Sequence, residues 1–219
     1  MDWHSYDAAL FDLDGVLVDS EQVWDEVRRA VVAERGGRWT DEATTAMQGM
    51  STPEWARYLT TLGAAGSADE LARVVIEAMA DRYREHVPLL PGAVDAVVAL
   101  SGRWPLAVAS SSPPDLIRVV LAAAGLTDRF RVTVSSEEVP RGKPAPDVYL
   151  AAATKLAADP AACVAVEDSA NGLRAAAAAA MVVVAVPNPH FPPPADVLAL
   201  ARATVPAPAG LTPELIRAL

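Results

Sequence analysis

The sequence has a single cysteine and no cluster of positive charge. Because Cys163 is alone among 219 residues, no disulfide can form within the chain, and we interpret it as a core residue. Lys and Arg number 18 against 28 Asp and Glu, which gives a net charge of -10. This balance argues against nucleic acid or an anionic membrane surface as a partner. An anionic substrate would need a local cation in order to bind.

Long apolar runs are also missing. No uninterrupted apolar run reaches the ~18 residues that span a bilayer, and the Ala/Val-rich stretch 175–186 is too short. Residues 1–5 lack the positive charge and the apolar stretch of a signal peptide. We therefore expect a soluble, cytoplasmic protein. With 52% hydrophobic residues, the chain can build one large domain or a domain that carries an insertion.

Residues 20–84 have helical periodicity throughout. Ser20 is a candidate cap for a helix whose apolar residues recur at helical spacing. Thr52, followed by proline, is the candidate cap of a later helix, and Ser67 with Glu70 forms a capping-box signature. The pattern predicts an all-helical segment of four helices.

From residue 85 the pattern alternates between helices and short apolar strands. Strands are predicted at residues 8–11, 106–110, 132–134, 163–166 and 181–186. The alternation predicts a doubly wound α/β core with a parallel, Rossmann-like sheet. We assign residues 1–19 and 85–219 to this core and residues 20–84 to an inserted all-helical domain. The proline-rich segment 187–194 is interpreted as a surface loop, and a last short helix is expected from Thr212.

Polar side chains lie where three of the predicted strands end. Asp12 and Asp14 follow the first strand, Ser110 ends the second, and Asp168 follows the strand at 163–166. Ligands of parallel sheets bind outside the carboxyl ends of the strands, so we expect these residues to converge. Two carboxylates so close would repel each other unless they surround a cation or have divided roles. The alternative for the first pair is an ordinary acidic turn.

Divided roles suit a phosphoryl-transfer reaction. Asp12 can attack a phosphoryl group to give an aspartyl-phosphate, and Asp14 is then free to act as general acid and later as general base. Asp12, the backbone carbonyl of Asp14 and Asp168 could form part of a Mg²⁺ shell that water and substrate phosphate complete. Glu167 is either a further ligand or an outer-shell partner.

Four motifs resemble those of the haloacid dehalogenase (HAD) superfamily, in its phosphatase and phosphomutase branch. Residues 12–20 read Asp-Leu-Asp-Gly-Val-Leu-Val-Asp-Ser, similar to the first motif. Ser110 matches the family's phosphate-binding serine or threonine. The alternative is that this serine-rich strand end caps the next helix, and Ser112 is the better candidate for that cap. Residues 142–147 resemble the lysine motif, and residues 166–169 match the acidic metal motif. A lone Asp-x-Asp would be weak, whereas four motifs in family order are specific.

The resemblance implies roles for these residues and for the helical segment. The implied catalytic residues are Asp12, Asp14, Ser110 and Lys143. The implied metal site for Mg²⁺ consists of Asp12, Asp14, Glu167 and Asp168. The implied phosphate contacts are Ser110, Ser111 and Lys143. Helices of residues 20–84 would form a cap that excludes water and selects the leaving group. Without the resemblance, Lys143 would be interpreted as an exposed loop lysine.

A sugar phosphomutase of the β-phosphoglucomutase kind is the nearest alternative. The resemblance implies that such mutases have a histidine in the first cap helix and a basic residue after the cap's glycine. Trp24 stands at the histidine's position, and no basic residue follows Gly49. We therefore favour hydrolysis of a small phosphorylated metabolite, with a sugar phosphate as one candidate. Trp24, Gln48 and Thr52 are the candidate leaving-group contacts, although a cap tryptophan is more often a core residue.

Two other classes are disfavoured. The resemblance implies that dehalogenases lack the second aspartate of the first motif, and Asp14 is present. A non-catalytic phosphate-binding module is disfavoured because every expected catalytic position holds a competent residue. The expected partner is a small-molecule phosphate ester, and the sequence leaves the oligomeric state open.

Overall fold

Six parallel strands form the sheet in the computed structural model, which describes residues 6–47, 50–189 and 192–219. The strands are β1 (Ala8–Phe11), β2 (Leu106–Ser110), β3 (Val132–Ser135), β4 (Cys163–Glu167), β5 (Val182–Ala185) and β6 (Ala203–Thr204). Their order across the sheet is β3, β2, β1, β4, β5, β6. This is a doubly wound order, with its switch point between β1 and β4. The predicted α/β class is confirmed.

At least one α-helix follows every strand along the chain. The four helices between β1 and the rest of the sheet are α1 (Glu21–Glu34), α2 (Ala43–Ala46), α3 (Thr52–Thr61) and α4 (Ala68–Glu85). The remaining helices are α5 (Ala93–Ser101), α6 (Pro114–Ala123), α7 (Asp147–Leu156), α8 (Ala170–Ala178), α9 (Ala195–Leu198) and α10 (Pro213–Ala218). The predicted helical insertion is present, and its division from the core at residues 19/20 and 84/85 stays a prediction. In the part of the chain that the structure describes, no helix is both long and apolar enough to cross a membrane.

Helix caps in the insertion agree with the sequence only in part. Ser67 accepts a hydrogen bond from the backbone N–H of Glu70 at 3.2 Å, as predicted. Ser20 precedes α1 but makes no side-chain cap hydrogen bond, so that prediction was wrong. The cap of α3 is Ser51, which forms a capping box with Glu54 one residue before the position expected from Thr52.

Alternating side chains of the strands build one apolar cluster on each face of the sheet. On β1, Ala9 and Phe11 belong to the first cluster and Leu10 to the second. Strands buried on both faces are typical of parallel sheets covered by helices. The first cluster also includes Val27 of α1 and Leu71 of α4, so apolar packing continues from the sheet into the inserted helices.

Strand register places the ends of β1 and β4 side by side. Phe11 pairs with Val166, and the backbone N–H of Asp12 donates to the Val166 carbonyl at 3.0 Å. On the other side of β1, Phe11 pairs with Val108, two residues before the end of β2 at Ser110. The residues that follow β1 and β4 therefore meet at the switch point, as the sequence predicted.

We expect Leu10→Ala to destabilise the protein by about 2–5 kcal/mol, because truncation of this fully buried side chain loses apolar burial and leaves a cavity. Urea unfolding followed by circular dichroism measures the change. Val98→Ala is the control, since Val98 is 42% exposed and its truncation should cost about 0.5 kcal/mol or less. Equal unfolding midpoints for the two variants would contradict the placement of Leu10.

Candidate active site

Lys143 lies between two carboxylates at the carboxyl end of the sheet. Its Nζ is 3.1 Å from Asp12 Oδ1 and 2.5 Å from Glu167 Oε1. Only 4% of the Lys143 side chain is exposed. Burial alone would lower the pKa of Lys143, but the charges of Asp12 and Glu167 outweigh burial and raise it. Lys143 is therefore a fixed positive charge beside Asp12, and the alternative of an exposed loop lysine is excluded.

The carboxylates around Lys143 outnumber the positive charge. Burial, and next the charge of Glu167, raise the pKa of Asp12 to about 8, although Lys143 opposes them. Burial and the charges of Glu167 and Asp12 also raise the pKa of Asp168 well above its usual range. A bound cation would lower both pKa values, because it stabilises the ionised forms. The acidic cluster therefore fits a cation in addition to Lys143.

Three carboxylates are close enough to surround a metal ion. One oxygen each of Asp12, Glu167 and Asp168 lies within 4.8 Å of the others. Among the described residues, nothing donates a hydrogen bond to the Asp168 carboxylate, so it is free to bind a cation. Carboxylate oxygens are the ligands that Mg²⁺ prefers. The donor set fits magnesium.

Glu167 is surrounded by donors from the protein itself. Its Oε1 accepts hydrogen bonds from Lys143 Nζ and from the Tyr149 hydroxyl at 2.8 Å. Its Oε2 accepts from the backbone N–H of Asp168 at 3.1 Å and from Ser169 Oγ at 3.2 Å. These four donors favour the outer-shell alternative for Glu167 over direct metal ligation. Tyr149 is a site residue that the sequence analysis did not identify.

Two glycines allow the backbone to approach the acidic cluster. Gly15 has φ +74°, and a Cβ built there would lie 1.8 Å from Asp168 Oδ2. At Gly172 a Cβ would lie 1.9 Å from the carboxyl carbon of Glu167. Gly172 lies in the first turn of α8. Its lack of a side chain makes room for the carboxylate that holds Lys143.

The Asp14 carboxylate has hydrogen-bond donors that Asp12 does not share. Ser112 Oγ donates to Asp14 Oδ2 at 2.6 Å, and the Trp24 indole N–H reaches Asp14 Oδ1 at 3.5 Å. The prediction that Ser112 caps α6 was therefore wrong, since Pro113 precedes that helix and no side-chain cap bond forms. The two aspartates have separate partners, as divided roles require.

The serines after β2 have different positions. Ser110 is fully buried, and its Oγ accepts the backbone N–H of Ser112 at 3.0 Å. Ser111 and Ser112 line the pocket together with Asp12, whereas Ser110 is not one of the described lining residues. The predicted phosphate contacts of Ser110 and Ser111 stay predictions.

A cavity of about 140 Å³ connects the strand ends with the inserted helices. On the sheet side it is lined by Asp12, Asp14, Lys143 and Asp168. On the helix side it is lined by Glu21, Trp24, Arg28, Met47, Met50, Thr52 and Trp55. Trp24 and Thr52, two of the candidate leaving-group contacts, thus line the cavity, and their contact with a leaving group stays a prediction. Gln48 lies outside the described residues.

Glu21 and Arg28 also line the pocket but were not predicted from the sequence. They lie three residues before and four residues after Trp24, the spacing that places side chains on one face of a helix. That spacing could have identified both residues once Trp24 was chosen. A basic residue was expected only after Gly49, whereas Arg28 lies on α1.

A doubly wound sheet that gathers carboxylates, a lysine and serines at its switch point defines the class of Rossmann-like hydrolases with an aspartate-based site. The chain belongs to the haloacid dehalogenase-like hydrolases, because the model of that family matches residues 6–180. The predicted family is confirmed.

Curated relatives include named phosphatases. Hexitol phosphatase B of Escherichia coli (strain K12) is 37% identical over 186 residues, which cover 83% of this chain and 84% of the relative. The fructose-1-phosphate phosphatase YqaB of the same organism is 33% identical over 175 residues, covering 80% of this chain and 93% of the relative. These similarities support a phosphoric monoester hydrolase.

Solved structures share the fold. CbbY from Rhodobacter sphaeroides, in complex with phosphate, superposes with a TM-score of 0.83 at 27% identity, over 94% of this chain and 96% of that one. The similarity extends over nearly the whole chain, including the inserted helices.

We expect Gly172→Ala to destabilise the protein by more than about 2 kcal/mol, although alanine usually stabilises a helix relative to glycine. The added Cβ would displace the Glu167 carboxylate from Lys143, which breaks a buried ion pair. Urea unfolding provides the measurement.

Gly102→Ala is the matched control, because a Cβ at Gly102 meets its nearest atom at an ordinary 3.6 Å. We expect its stability to stay within about 1 kcal/mol of the parent. If Gly172→Ala were as stable as Gly102→Ala, the packing of Glu167 against α8 would be wrong.

Proposed function

We propose that the protein is a Mg²⁺-dependent phosphatase that hydrolyses a small phosphate ester through an aspartyl-phosphate on Asp12. The contact between Lys143 and Asp12, with Asp14 held separately at the same pocket, is the observation that carries the proposal. Relatives named as phosphatases at 37% and 33% identity support it. The inserted helices would act as the cap over this site.

Charge is the main obstacle to attack by a carboxylate on a phosphate ester. Asp12, Asp168 and the backbone carbonyl of Asp14 would hold the magnesium ion. When bound, Mg²⁺ would supply positive charge that offsets the phosphoryl oxygens. Lys143 favours the ionised form of Asp12, as bound Mg²⁺ would, and it offers a second positive charge to the same oxygens. The hydrogen bonds to Glu167 keep Lys143 in place.

Two displacements complete the reaction. An oxygen of Asp12 forms a bond to phosphorus while the bond to the leaving oxygen breaks, and Asp14 donates a proton to that oxygen. Asp14, now ionised, takes a proton from water as the water oxygen attacks phosphorus. The bond from phosphorus to Asp12 then breaks, releasing inorganic phosphate and restoring both aspartates.

Hydrolysis is favoured over transfer to a second position of a sugar. Met50 and Thr52 line the pocket after Gly49, where the mutase resemblance implies a basic residue. A sugar phosphate or sugar-alcohol phosphate is our candidate substrate, because hexitol phosphatase B and a fructose-1-phosphate phosphatase are among the relatives. The expectation that neither nucleic acid nor a membrane is a partner stays a prediction. The cytoplasmic location also stays a prediction.

We expect Asp12→Asn to lower phosphate release from a hexitol phosphate by at least about 10³-fold, because the amide cannot act as the nucleophile. Removal of metal with a chelator should abolish the activity of the parent protein, and added Mg²⁺ should restore it. A colorimetric phosphate assay measures both effects.

Asp196→Asn is the control for this loss, since Asp196 is exposed on α9. It should retain the parent activity. Phosphate release that survives either Asp12→Asn or complete metal removal would contradict the proposed mechanism.

Asp14→Asn should slow the first turnover of an alkyl phosphate by about 10²–10⁴-fold, because the leaving alkoxide needs a proton. The first turnover of phenyl phosphate should slow less, since phenolate leaves more readily without protonation. Rapid-quench measurement of the released alcohol and phenol gives the two rates. An equal loss for both esters would exclude Asp14 as the general acid.

A further inference from the structure

Arg28 lies in the catalytic pocket between two tryptophan rings. Its guanidinium carbon is 4.7 Å from the centroid of the Trp24 ring and 4.9 Å from that of Trp55. The two rings are 6.0 Å apart and tilted by 55°, so they form a wedge around the guanidinium. Cation–π contacts of this kind fix the position of an arginine.

Within residues 6–47, 50–189 and 192–219, the hydrogen-bond donors of Arg28 have no partner. Its Nε is buried and finds no acceptor in these ranges, and no acceptor or ion-pair partner in them contacts any other nitrogen of the group. An arginine that is buried and unpartnered loses the hydrogen bonds of water without replacement. The pocket therefore presents a charged donor whose missing acceptors must come from elsewhere.

Negative charge already surrounds Arg28. Burial lowers the pKa of Arg28 to about 10, against the opposing charges of Glu21, Asp14 and Asp25, so it is still charged at neutral pH. Glu21 lies two helical turns before it and lines the same pocket. Burial, and next the charge of Asp14, raise the pKa of Glu21.

A second anionic group on the substrate would be repelled by the negative charges of Glu21, Asp14 and Asp25. Among the described residues of the pocket lining, Lys143 is the other cation, and Asp12 and Glu167 already hold it. The described helix side of the pocket thus offers one charged donor and one charged acceptor, Arg28 and Glu21, whose charges offset each other. A neutral hydroxyl group can accept a hydrogen bond from Arg28 and donate one to Glu21.

Resting on the phosphatase function proposed above, we propose that Arg28 and Glu21 form a leaving-group subsite that selects an uncharged polyhydroxylated leaving group. Arg28 donates hydrogen bonds to hydroxyl oxygens, and Glu21 accepts a hydroxyl proton. Trp24 and Trp55 hold the guanidinium in position. Arg28 and Glu21 are the specificity-determining residues, whereas Asp12 and the strand-end residues act on any phosphoryl group.

The test compares three esters with Mg²⁺ present. Sorbitol 6-phosphate has a neutral polyol leaving group, 6-phosphogluconate carries a carboxylate on a chain of the same length, and phenyl phosphate has no hydroxyl groups. We expect the parent protein to have its highest kcat/KM with sorbitol 6-phosphate.

In Arg28→Leu, the ratio of kcat/KM for sorbitol 6-phosphate to that for phenyl phosphate should fall about 10- to 100-fold, mainly through KM, as expected for the loss of a charged donor. Arg28→Lys should lower this kcat/KM ratio less than Arg28→Leu does. Glu21→Gln should lower the same ratio and keeps the test open if the leucine variant does not fold. Arg73→Leu is the control, since Arg73 is exposed on α4 and pairs with Glu77.

A ratio that is unchanged in Arg28→Leu and Glu21→Gln would overturn the subsite. A parent protein that prefers 6-phosphogluconate over sorbitol 6-phosphate would also overturn it, in favour of an anion site. Neither result would contradict the proposed phosphatase function. Absence of Mg²⁺-dependent release from phenyl phosphate would instead contradict the proposed function itself.

Discussion

The buried ion pairs of Lys143 with Asp12 and Glu167 are the interaction on which the candidate site depends. A buried charge is tolerated only with close partners, and here one lysine serves two carboxylates. Asp168 adds a third carboxylate next to them, so the cluster is short of positive charge. Burial first, and then this shortage of positive charge, raise the pKa values of Asp12 and Asp168. A bound cation such as the proposed Mg²⁺ would offset the shortage.

The fold supplies this cluster through its strand order. Because β1 and β4 are neighbours at the switch point, two segments more than 150 residues apart along the chain meet at adjacent strand ends. The inserted helices line the same pocket, where Trp24 contacts Asp14 and Arg28 contributes to the lining. In the function we propose, chemistry and selectivity are therefore built from different parts of the chain. The strand ends would provide the groups that act on phosphorus, and α1 would provide those that meet the leaving group.

Much of this arrangement could be predicted from the sequence, because parallel strands and phosphate chemistry leave strong local patterns. Apolar runs identified five strands, and the motifs placed Asp12, Lys143 and Asp168 together. The two-residue strand β6 was missed, since so short a segment has no pattern. Arg28 was missed although it is one helical turn from Trp24, and Tyr149 was missed because its partner Glu167 is 18 residues away. Ser112 was misassigned for the same reason, as its partner Asp14 is 98 residues away.

The measurement that tests the account most directly is chemical trapping of Asp12 during turnover. The protein is mixed rapidly with Mg²⁺ and a hexitol phosphate, quenched, and treated with borohydride, which reduces an acyl phosphate to an alcohol. Peptide mass spectrometry should then find Asp12 converted to homoserine. Unmodified Asp12 during active turnover, or conversion at another carboxylate, would contradict a phosphorylated Asp12 intermediate.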